Sequence, residues 1–138
     1  RSRGAELLQL FELDTAGRKL IGDYSKGMRK RVAMAAALIH RPELFLLDEP
    51  FEGVDAMGAR LMKDILLEQV RRGATIFLTS HVLEVVERLC DRVAIIHQGR
   101  LVVDGPMHVL RTGSETLEDI FVRVVGSGER TANALDWL

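Results

Sequence analysis

The residues best suited to chemistry are Asp48 and Glu49, adjacent carboxylates that end the apolar run 44–47. Open α/β sheets place their ligands beyond the carboxyl ends of buried strands, so two acids at such an end can divide the work. Asp48 would orient Mg²⁺, usually through water, and Glu49 would polarise an attacking water, because phosphoryl transfer depends on positioning and charge neutralisation. Taken alone, such a pair more often marks only the solvated end of a strand. A second candidate is Tyr24-Ser25-Lys26-Gly27-Met28 at the start of an expected helix. A Ser hydroxyl and a Gly amide at a helix N-terminus suit an anion, since free N–H groups point outward and the macrodipole adds about half a positive charge. By itself that pentapeptide more often marks an ordinary Ser cap followed by a Gly. Arg29, Lys30 and Arg31 read as a solvated basic face with no catalytic role. His81 follows the apolar stretch 74–79 and reaches the sheet edge of Asp48 and Glu49 if the two strands are neighbours. His40, His97 and His108 have no comparable placement, and without a His/Cys pair at ligand spacing a zinc site is not expected.

The elements that must position these groups follow from periodicity. Leu7, Leu8, Leu10, Phe11 and Leu13 suggest a short helix stopping before Thr15-Ala16-Gly17, and a second helix is expected from about residue 26 to 40, ended by Arg41-Pro42. The run 44–47 reads as a strand buried on both faces of a parallel sheet. Met62, Ile65, Leu66 and Val70 recur with helical period, Arg72-Gly73 closes that helix, and a second buried strand follows. Strand, helix, strand implies a right-handed parallel crossover. After Thr79-Ser80, a possible cap, Val82, Val85, Val86 and Leu89 form one apolar stripe. Residues 92–97 and 101–103 read as a hairpin around Gln98-Gly99. Thr116-Leu117-Glu118-Asp119 has capping-box spacing ahead of a last helix whose stripe of Leu117, Ile120, Phe121, Val124 and Val125 is expected to dock it on the body of the domain, with Phe121→Ala costing about 3 kcal/mol or more if that ring is buried. Residues 126–138, Gly- and charge-rich at their start, are expected to form a mobile tail.

Composition narrows the classes. The 138 residues are 47% hydrophobic, and 19 Lys+Arg nearly balance 20 Asp+Glu, so neither disorder nor a polyanion-binding surface is expected and nucleic acid is not favoured. The single Cys90 allows no internal disulfide and is assigned no role beyond core filling. No apolar stretch approaches the roughly 18 residues of a bilayer span. The first residue is Arg rather than Met, which suits a piece of a longer chain.

In order and spacing, Tyr24-Ser25-Lys26-Gly27-Met28, the Asp48-Glu49-Pro50 strand end, Gly53-Val54-Asp55 and Ser80-His81 resemble the signature motif, Walker B motif, D-loop and switch histidine of ABC-type ATPases. The resemblance runs from about residue 5 to 125. It implies an α/β fold, a partial P-loop NTPase fold with parallel strands, flanking helices and a C-terminal β-hairpin and helix. Residues 1–24 would end a helical subdomain and 25–125 would form the signature helix and catalytic core. It further implies Ser25 and Gly27 as γ-phosphate contacts, Asp48 as the Mg²⁺ carboxylate, Glu49 as catalytic base, Asp55 as the D-loop aspartate and His81 as γ-phosphate sensor. The signature departs from the family's Leu-Ser-Gly-Gly-Gln at Tyr24, Lys26 and Met28, and Phe51-Glu52 replaces a small polar pair.

No Gly-x-x-x-x-Gly-Lys-[Ser/Thr] occurs, so the amide cradle and Lys for the β- and γ-phosphates are missing from these residues, and the segment alone is expected to be inactive. The resemblance thus implies the C-terminal portion of an ATP-binding domain that works as a head-to-tail dimer with a second ATPase subunit. Leu117-Glu118-Asp119-Ile120-Phe121 resembles the end of exporter ATPases that serve separate transmembrane permease subunits from the cytoplasmic face of the membrane. The competing expectations are a non-transport ABC-type ATPase acting on ribosomes or in DNA repair, and a non-hydrolytic regulatory module.

Overall fold

The computed structural model describes residues 2–16 and 19–126, so most of the expected tail, and Gly17, lie outside the described residues. The chain forms two compact units, the first ending at His81 and the second beginning at Val82.

In the first unit, helix α1 (Arg3–Leu10) packs on α2 (Lys26–Leu38), and strand β1 (Leu44–Asp48), helix α3 (Ala56–Arg71) and strand β2 (Thr75–Thr79) follow. Phe11 and Leu13 lie just beyond the end of α1 rather than on its stripe, and both are fully buried, whereas Leu10 is half exposed. They meet Met34 and Leu38 of α2, Phe45 of β1 and Met62 and Leu66 of α3 in one core. A short 3₁₀ turn, Ile21–Asp23, leads into α2, and Tyr24 turns its ring into that core. The Tyr24 hydroxyl donates to the Ala16 carbonyl at 2.9 Å. Tyr24→Phe removes this bond while the Ala16 carbonyl keeps the Lys19 N–H at 2.9 Å, and is expected to destabilise the unit by about 0.5 to 1.5 kcal/mol in a urea melt.

The basic triplet is not the solvated face its composition suggested. Arg29 is exposed, but the Arg31 guanidinium donates to the Phe11 carbonyl at 3.2 Å and Lys30 reaches the end of β1. Both long side chains satisfy carbonyls that end regular structure, which solvated heads would not do.

β1 and β2 pair in parallel, Leu44 opposite Thr75 through Asp48 opposite Thr79, with α3 as the crossover. Alternation sends Phe45, Leu47 and Ile76 into the core. On the opposite face Leu44, Leu46 and Phe77 are 54%, 73% and 61% exposed, so the expected burial of these strands on both faces is corrected: the helices of this unit cover one face only.

The second unit contains α4 (Leu83–Leu89), the antiparallel hairpin β3 (Arg92–His97) and β4 (Arg100–Pro106), the single turn α5 (Met107–Leu110) and α6 (Leu117–Gly126). Gln98 and Gly99, both at positive φ, make the two-residue turn, and a bulge between Ile95 and Ile96 shifts the register. Val93, Ile95, Met107, Leu117 and Ile120 form its core, with Leu83 and Val86 of α4 packed against it. Val82, expected on that stripe, is instead the N-terminal cap position and is 42% exposed, and its own side chain makes no capping hydrogen bond. Thr116 and Asp119 close the capping box of α6: the Thr116 N–H donates to Asp119 Oδ2 at 2.8 Å and the Asp119 N–H to Thr116 Oγ1 at 3.2 Å. The Arg111–Glu87 ion pair, at 2.8 Å, adds a polar tie within the unit. Burial pushes the Cys90 thiol up, which suits a packing residue and not a nucleophile. No described helix is long and apolar enough to cross a membrane.

Candidate functional site

The parallel register sets Asp48 level with Thr79, so the residues that follow each strand emerge at one edge. His81 and Glu49 meet there, His81 Nδ1 lying 2.9 Å from Glu49 Oε1. A carboxylate can only accept, so the contact places the ring hydrogen on Nδ1. The Thr79 hydroxyl donates to Asp48 Oδ1, and the Glu49 N–H is shared between the Thr79 carbonyl and hydroxyl oxygens at 3.2 Å each. Lys30 Nζ donates to the Glu49 carbonyl at 2.8 Å and to the Asp48 carbonyl at 3.2 Å. These bonds fix Glu49 in a left-handed backbone conformation, φ 44°, which a side chain with a Cβ adopts only against resistance. Pro50 then locks the exit from the strand and is buried.

Sequence gives Thr79 only a capping place and Lys30 only a place on a solvated face, and neither is expected at this site. The signal for Thr79 was available, since a polar residue ends the second apolar run at the register position of Asp48. Lys30 carries no such signal, because only the crossing of α2 over the strand end brings its ammonium to those carbonyls.

Ser25 and Gly27 sit at the N-terminus of α2. Ser25 caps it, Oγ accepting the Met28 N–H at 3.2 Å. Gly27 is buried, and a Cβ there would lie 3.0 Å from the Gly53 carbonyl oxygen and 3.5 Å from Val54 Cα. The helix start is therefore pressed against the turn 51–54, which Gly53 completes at φ 74°. Lys26 Nζ meets Glu52 Oε1 at 2.6 Å across this contact, and the Lys26 hydrogen bond and charge hold the Glu52 carboxyl below the usual range.

Asp55 starts α3 as its N-cap, Oδ1 accepting the Gly58 N–H at 2.9 Å. That hydrogen bond holds its carboxyl below the usual range. The expected site residues thus fall into three linked places. Asp48, Glu49 and His81 share the strand ends, Ser25 and Gly27 share the start of α2, and Asp55 stands at the start of α3 after the turn that joins them.

Among the described residues no three His, Cys, Asp or Glu side chains converge on one point. Asp48, an exposed carboxylate beside a threonine hydroxyl, has the hard oxygen chemistry that suits Mg²⁺, a cation that keeps most of its waters and needs one or two carboxylates besides phosphate.

The ABC transporter family model matches residues 2–52. An uncharacterised ABC transporter ATP-binding protein of Nostoc sp. (strain PCC 7120 / SAG 25.82 / UTEX 2576) is 47% identical over 118 residues, covering 84% of this chain and 35% of that protein. The fluoroquinolones export ATP-binding protein of Mycobacterium tuberculosis (strain ATCC 25618 / H37Rv) is 41% identical over 128 residues, covering 92% of this chain and 42% of that protein. A solved ATP binding subunit of an ABC transporter matches with a TM-score of 0.82 at 31% identity, over 89% of this chain and 53% of that one. The α/β fold is that of ABC ATPase subunits, a nucleotide-binding class. The chain belongs to the ABC transporter ATP-binding family. It spans between 35% and 42% of the length of these two relatives.

Proposed function

We propose that this chain is the C-terminal part of the ATP-binding subunit of an exporter, and that the intact protein couples ATP hydrolysis to transport. The export name of the mycobacterial relative supports the direction. In this reading residues 1–24 end the helical subdomain and 25–125 carry the signature helix and catalytic core. The subunit pairs head to tail with a second ATPase subunit and docks on separate transmembrane permease subunits at the cytoplasmic face of the membrane.

The observation that carries the reading is the fixation of Glu49. A general base must be held within hydrogen-bond reach of its proton, and His81, Thr79 and Lys30 fix both the side chain and the backbone of this acid. Asp48 would hold Mg²⁺, which would supply positive charge to neutralise the phosphate. His81 orients Glu49 and senses the γ-phosphate. Ser25 and Gly27 bind the phosphate of the partner subunit's nucleotide through the start of α2, and Asp55 sets the seam between subunits from the start of α3.

Head-to-tail pairing gives a direct test. Each composite site takes Ser25 from one subunit and Glu49 from the other. The intact Ser25→Ala and Glu49→Gln proteins should each hydrolyse ATP poorly, whereas mixing them should restore measurable hydrolysis, because one site of each mixed dimer then carries neither substitution. Phosphate release that stays at the level of the single variants would reject the composite site.

A further inference from the structure

Lys26 and Glu52 both depart from the residues the family resemblance leads one to expect, and the structure joins them. Their charged atoms are 2.6 Å apart, with side chains 54% and 46% exposed. The pair is more than two flexible side chains meeting in water. Gly53, between Glu52 and the rest of the turn, has φ 74°, and a Cβ there would fall 2.6 Å from Lys26 Cδ and 3.1 Å from its Cγ. The aliphatic stem of Lys26 is therefore seated on the glycine, and its ammonium is delivered to Glu52. Gly27, the next residue of the helix, presses on the Gly53 carbonyl from the same side. Charge at this contact bears on whatever the start of α2 binds. An unmatched Glu52 would repel a polyanion there, and an unmatched Lys26 would attract it.

We propose that Lys26 and Glu52 are a matched pair that sets the affinity of the signature end of α2 for a nucleoside triphosphate, Lys26 cancelling the repulsion that Glu52 would otherwise impose. The inference rests on the assignment of Ser25 and Gly27 to phosphate. Each residue acts as a positioning and charge-setting residue, and neither is asked to touch the reacting atoms. The two departures from the family pattern are then one compensated change.

The test is steady-state ATP hydrolysis by the intact protein with Lys26→Gln, Glu52→Gln and the double variant. For charges near a protein surface the expected effects are about 3- to 10-fold. Lys26→Gln should raise KM by that factor, Glu52→Gln should lower it, and the double variant should return close to wild type, the shift falling in KM more than in kcat. Both shifts should shrink in about 1 M salt, where the screening length is about 3 Å. A purely structural tie between helix and turn would move both single variants in the same direction, and that result, or an unchanged KM, would overturn the proposal. Ser25→Ala measured alongside separates the two levels of the reading. If it hydrolyses ATP as wild type does, the phosphate assignment falls and the pair's role falls with it. If it is impaired while the Lys26 and Glu52 variants are silent, the pair alone is refuted.

Discussion

Glu49→Gln in the intact protein is expected to lower ATP turnover by about 10²- to 10⁴-fold, the range of a lost general base, while nucleotide binding stays nearly intact. Glutamine keeps the length and shape of the side chain and can still accept from His81, so the strand end need not rearrange. The Glu49 N–H donates to Thr79 Oγ1 and the Glu49 carbonyl accepts from Lys30 Nζ, so both bonds use the main chain of residue 49 and survive the change. What is lost is the capacity to take a proton from water. Asp48→Asn should differ in kind, weakening Mg²⁺-dependent nucleotide binding as well as turnover. Single-turnover hydrolysis beside equilibrium binding of Mg-ATP separates the two, and a Glu49→Gln protein that turns over at the wild-type rate would show that another group is the base.

Leu117→Ala is expected to destabilise the second unit by about 2 to 5 kcal/mol, because it empties a fully buried leucine site between the hairpin and α6. Ile120, 1% exposed, is the comparable position one turn on. Phe121→Ala should cost less than either. Its ring is partly buried at the margin of the core, short of the full burial on which an expected cost of about 3 kcal/mol or more depends. The stripe was read correctly as a face, but a face is wide. Leu117 and Ile120 occupy its centre, while the larger aromatic lies at its edge. Denaturant melts of the three variants give the order directly, and a Leu117→Ala midpoint equal to wild type would place the helix outside the cooperative unit.

Much of the strand-end arrangement was legible because it depends on local rules. An apolar run ending in acids, a helical period, a second apolar run and a histidine two residues past its end are enough to bring His81 to Glu49 once the strands pair in parallel. The capping box at Thr116 and Asp119 and the hairpin turn at Gln98-Gly99 are local in the same way. What sequence could not show depends on cover and crossing. A continuous apolar run such as 44–47 does not say whether one face or both are covered, and Leu46 is the residue that exposes the difference. A lysine reads as solvated until a carbonyl is found at its tip, as for Lys30. Lys26 and Glu52, 26 residues apart, each looked like a separate departure until the turn at Gly53 brought them together.

The left-handed backbone at Glu49 sets fitness against robustness at a single position. Glycine or asparagine would relieve a conformation that costs an ordinary residue about 1 to 2 kcal/mol, yet neither could serve as the proposed base. Variants chosen only for heat resistance would therefore drift toward those residues and lose turnover, and variants chosen for turnover must retain the strained acid. Attempts to harden the protein should hold residue 49 fixed and seek their gains elsewhere.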